Sequence, residues 1–95
     1  MTTTVYMTRT IIDLPDAAEH SEAALREQLT RSAAGADCLQ HANIRVRAGS
    51  VVFTLFLIAA DRVDAAMHAE QLCRRTMASV AADERWSVRS TSAGP

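Results

Sequence analysis

Cys38, His41, His68 and Cys73 are the side chains in this chain with the chemistry to hold a zinc ion. A closed site needs four such groups converging on one point. His68 and Cys73 fall in a helical segment, and five residues of helix turn by about 500°, leaving the two side chains roughly 140° apart. They cannot share a metal, so the pattern predicts none. Cys73 instead lies on the apolar side of its helix, where a thiol behaves as a small hydrophobe.

Histidine titrates near neutral pH and is the usual general acid or base. His20, His41 and His68 have no recognisable nucleophile or carboxylate motif beside them. His20 and His68 read as surface residues, whereas His41 opens a strand and can reach a cleft edge. Arg9 falls mid-strand between Met7 and Ile11, where a charge must be paired or wet. With Arg45 and Arg47, and with His41 and Phe56 nearby, it forms the candidate binding set for an anionic or carbonyl-bearing ligand. There is no glycine-rich phosphate loop, paired Cys-x-x-Cys or Gly-x-Ser-x-Gly turn, so no cofactor is implied and catalytic residues stay unassigned.

The elements that must position these groups are legible from patterning. Residues 2–12, rich in Thr, Val, Tyr and Ile, predict a strand stopped at Asp13-Leu14-Pro15. Asp16 and Glu19 fit a capping box for a helix over residues 17–34, with Ala18, Leu25, Leu29 and Ala33 on one face and Gly35 closing it. Residues 41–48 alternate, with Ile44 and Val46 opposite Arg45 and Arg47. A tight turn with Gly49 at positive φ joins them to residues 51–60, pairing Arg47 with Val52, Val46 with Phe53, Arg45 with Thr54 and Ile44 with Leu55. Asp61 and Asp64 start a second helix over residues 62–82, with Ala66, Ala69, Cys73, Thr76, Met77 and Val80 on its apolar side. Residues 85–91 form a last strand, with Trp86 and Val88 facing one way.

The order strand, helix, strand, strand, helix, strand is that of the ferredoxin-like split βαβ, an α+β fold. It implies a four-stranded antiparallel sheet, first and third strands central, with two helices on one face. A single domain over residues 1–91 accounts for the chain, with 92–95 as a frayed tail.

The run 51–60 is apolar apart from Thr54. It is too short to span a bilayer, which takes roughly 20 apolar residues, and suits a central strand covered on both faces. Phe53, Leu55 and Leu57 belong to the helix side. Val52, Thr54, Phe56 and Ile58 fall on the other side, as an apolar strip flanked by Arg45 and Arg47 that predicts an interface.

Composition narrows the occupant. The formal net charge is −1 and all ten basic residues are arginine, an arginine-for-lysine and alanine-rich usage that fits a GC-rich genome. The charge gives no pull toward nucleic acid or anionic membrane. Two cysteines without a secretory signal point to reduced thiols and the cytoplasm. The favoured expectation is a small self-associating binding or accessory protein of a bacterial pathway, a homodimer packed sheet to sheet as in dimeric α/β barrels. The alternatives are a cofactor-independent oxygenase, isomerase or cyclase acting on a small hydrophobic molecule in a cavity over the sheet, and a module for a different protein partner. An RNA platform fits poorly, since only Tyr6 and Phe56 offer stacking rings.

Overall fold

The structure is a computed structural model that describes residues 4–33 and 38–94. Its elements are β1 (Thr4–Asp13), a 3-10 turn (Ala17–Glu19), α1 (Glu22–Ser32), β2 (Leu39–Arg47), β3 (Ser50–Ala59), α2 (Arg62–Val80) and β4 (Ser87–Gly94). The strands form one antiparallel sheet in the order β2-β3-β1-β4. This is the ferredoxin-like arrangement, with β1 and β3 central. The expected Gly35 cap lies outside the described residues.

The core lies between the helices and one face of the sheet. Val51, Phe53, Leu55 and Leu57 of β3, Ile44 of β2 and Ile12 of β1 are fully or almost fully buried against Leu25 and Leu29 of α1 and Ala69, Leu72, Cys73 and Met77 of α2. The α2 stripe is rotated slightly from the expected one. Ala65 and Leu72 are buried, whereas Ala66 and Val80 are half-buried.

The first helix starts later than its capping pattern suggests. The Asp16 side chain caps nothing, and the chain makes a single 3-10 turn before extending at His20. Ser21 is the working N-cap, its Oγ accepting from the Ala24 N–H at 3.1 Å. Tertiary anchoring explains the delay: Leu14 and Ala17 are pulled to zero exposure in the core, leaving Ala18 outside.

The β2–β3 hairpin is displaced by two residues from the expected register. Ala48-Gly49 is the turn, Arg47 pairs with Ser50 and Arg45 with Val52. Gly49 takes φ +76° at the second turn position, so Ala48 needs no positive φ. An even shift keeps every side chain on its expected face. At the far end β4 continues to Gly94, where Ser92 pairs with Arg9 and Gly94 with Met7, so Ser92 to Gly94 are sheet rather than tail. A bulge beside Ile11 and Ile12 leaves Arg89 out of the ladder, where its guanidinium holds the Asp13 carboxylate.

The two sheet edges differ. At β2, the Glu22 carboxylate reaches from α1 to accept the Val46 N–H at 2.8 Å, covering an outward-facing donor. The cap assignments are testable by chemical denaturation. Ser21→Ala should cost about 1 kcal/mol, and Asp16→Ala should change stability by less than about 0.5 kcal/mol.

Candidate functional site

Over its middle, β1 turns hydroxyls toward the helices and apolar side chains outward, with Ile12 as the apolar residue that faces the core. Thr8 and Thr10 point to the helices at zero exposure, while Val5, Met7, Arg9 and Ile11 point outward. The inward hydroxyls are satisfied. Thr8 Oγ donates to the Leu55 carbonyl at 3.1 Å, and Thr10 Oγ and Thr91 Oγ are hydrogen-bonded to each other at 3.2 Å. Thr76 on α2 donates back to the Leu72 carbonyl. The Cys73 thiol lies beside this cluster, and burial pushes it up to about 12, against the opposing hydrogen bond with Thr10.

The consequence appears on the opposite side. Antiparallel registers place cross-strand neighbours on one face, so the outer face can be read row by row. His41, Phe56, Met7 and Gly94 form one row, Asn43, Thr54, Arg9 and Ser92 the next, and Arg45, Val52, Ile11 and Ser90 the third. A further pair, Ile58 and Val5, lies beyond Phe56 and Met7. Met7 and Val5 are 43% and 46% exposed, among the largest exposures of any large apolar side chains described. Both central strands therefore contribute to an apolar outer surface crossed by one polar row.

Two grooves open along that polar row and meet at Thr54. One, about 380 Å³, lies over Met7, Arg9, Thr54 and Ser92. The other, about 630 Å³, begins at Thr54, Phe56 and Asn43 and wraps past His41 around the β2 edge to Arg26 and Thr30 of α1. The His41 and Phe56 rings lie 5.8 Å apart, tilted by 48°.

The candidate residues fall unevenly on this surface. Arg9, His41, Phe56 and Thr54 line the grooves, with Arg9 exposed at mid-strand. Arg45 is on the same face one row away, and Arg47 is at the hairpin end. Val52 and Ile58 share the outer face with Phe56 as expected, although Val52 is only 9% exposed. Tyr6 pairs with Leu57 on the helix side, so it cannot join Phe56 in a stacking platform. Asn43, Ser92 and Met7 escaped the sequence reading, because their face is set only by the pairing registers.

The metal candidates are scattered. Cys73 is in the core, His68 sits 3.2 Å from the Asp64 carboxylate one helical turn away, and His41 is on the outer face. Among the described residues no three His, Cys, Asp or Glu side chains converge. His20 is no bare surface histidine: its Nε2 lies 2.9 Å from Glu84, with 18% of its side chain exposed, linking the loop before α1 to the one after α2.

No protein-family model matches the chain, and no curated protein matches it either. Among solved structures it is similar to a de novo designed protein, Foldit4, at 15% sequence identity and a TM-score of 0.42, over 97% of this chain and 100% of that one.

The thiols should behave oppositely. A thiol reagent at mildly alkaline pH should modify exposed Cys38 in the native protein and reach Cys73 only on unfolding. Because the folded state keeps the Cys73 proton that an unfolded thiol loses near 9, the contribution of Cys73 to stability is complete below that pH. It should fall as pH rises from 9.0 toward about 12. Cys73→Ala should flatten this part of a denaturation-versus-pH profile.

Proposed function

We propose that the protein is a small binding or accessory protein of a bacterial pathway that works in the cytoplasm, self-associating through the outer face of its sheet. The observation that carries this reading is the outward placement of Val5, Met7 and Ile11 on β1 beside Phe56 and Ile58 on β3, while Thr8 and Thr10 occupy the core side. A strand that turns two hydroxyls inward and leaves Val5 and Met7 exposed loses water-exclusion energy unless something covers them.

The dimensions suit a second copy. Four strands about 4.8 Å apart and ten residues rising about 3.3 Å each make a face near 600 Å², close to the roughly 800 Å² per partner of a standard interface. A two-fold axis lets the same patch serve both copies. Among the described residues no helix is long and apolar enough to cross a membrane.

Light scattering at micromolar concentration should give twice the chain mass. A monodisperse monomer up to roughly 100 μM would retire the dimer, since association follows mass action. Phe56→Asp should yield a monomer with an unchanged circular dichroism spectrum, because Phe56 is on the outer face and outside the helix-packed core. Phe53→Asp, in the core, should instead prevent folding.

A further inference from the structure

We infer that the groove over Arg9 is a binding site for a carboxylate carried on an elongated apolar body. The inference uses the same outer face as the proposed function but does not require the dimer.

Arg9 is flanked on both sides by hydroxyls, Thr54 directly opposite on β3 and Ser92 directly opposite on β4. All three line one groove. Strand spacing sets each hydroxyl residue about 4.8 Å from Arg9, one on either side, so the guanidinium and one flanking hydroxyl can meet the two oxygens of a carboxylate. A planar guanidinium with flanking hydroxyl donors is the donor set that recognises a carboxylate.

The charge at Arg9 has no counterpart in the described chain. The outer face carries Arg9, Arg45 and Arg47, and its carboxylate, Asp13, is already held by Arg89. The remaining described acidic residues lie on the helices and in the segments that join them to the strands, none on a strand. An anion supplied from outside is the complement that this face lacks.

The floor beside the charge defines the rest of the ligand. Met7 precedes Arg9 by two residues on the same face, Phe56 pairs with Met7, and the His41 ring lies against Phe56. Gly94 and Ser92 at the β4 end present no bulk, and the groove continues past Thr54 toward the β2 edge. A carboxylate at Arg9 can therefore lay an apolar chain or ring across Met7 and Phe56, transverse to the strands. A doubly charged phosphate without an apolar body would leave that floor uncovered.

Octanoate, octanol and octylammonium, titrated into the isotope-labelled full chain and followed by amide shifts, separate the contributions. Octanoate should bind with shifts centred on Arg9, Thr54 and Ser92, and should bind at least about tenfold more tightly than octanol. Octylammonium should bind more weakly still. Arg9→Gln should remove the preference for octanoate over octanol while leaving octanol binding in place, and Thr54→Val with Ser92→Ala should reduce it by a smaller factor. Equal binding of octanoate and octanol, an unchanged preference in Arg9→Gln, shifts centred elsewhere, or no octanoate binding up to roughly 10 mM would each overturn the site. Light scattering on the same samples keeps the two proposals apart. A monomer that binds octanoate at Arg9 retires the dimer and keeps this site, and a dimer indifferent to octanoate does the reverse.

Discussion

The antiparallel register of β1 against β3 is the constraint from which the rest of the molecule follows. Opposing Thr8 to Leu55 and Arg9 to Thr54 fixes, in one step, which half of each central strand meets the helices. A slip of one residue would drive Arg9 and Met7 under α2 and expose Thr8 and Thr10. β3 alone would not resist this slip strongly, because it is apolar on both sides. β1 supplies the discrimination: a guanidinium cannot be buried without a partner, whereas a threonine can satisfy its hydroxyl locally. The Thr8 bond to the Leu55 carbonyl and the Thr10 contact with Thr91 are the inward half of that choice.

The same register couples core to surface. Each hydroxyl that β1 turns inward leaves a larger side chain outward, so a core with threonine at Thr8 and Thr10 accompanies an outer face with Met7 and Ile11 exposed or half-exposed. Stability drawn from the helix layer is thereby limited, and surface capacity for a partner is gained. The helices cover one side only. The polar row Asn43-Thr54-Arg9-Ser92 crosses the uncovered apolar side and gives it direction. A partner on this face must meet both the apolar rows and the charge between them.

Local chemistry closes the remaining freedom. Gly49 sets the hairpin, Ser21 and Asp61 set the helix starts, and Glu22 occupies an outward-facing donor of the β2 edge. The His20–Glu84 pair ties the two loops at one end of the helices. The Arg89–Asp13 pair does similar work at the β4 bulge.

The sequence by itself determined the order of elements, the central position of β3, the division of its side chains between faces, and the Asp61 cap. These are local matters: periodicity, turn residues and a run of apolar side chains act within a few residues, and the ferredoxin-like topology follows from their order. What it did not determine were properties of pairing between distant segments. The later start of α1 depended on Leu14 and Ala17 reaching the core, and the extension of β4 on Ser92 meeting Arg9. Arg9 was readable as an unusual charge on a central strand. Its two hydroxyl neighbours were not, because Thr54 and Ser92 lie far from it along the chain and only the sheet brings them together.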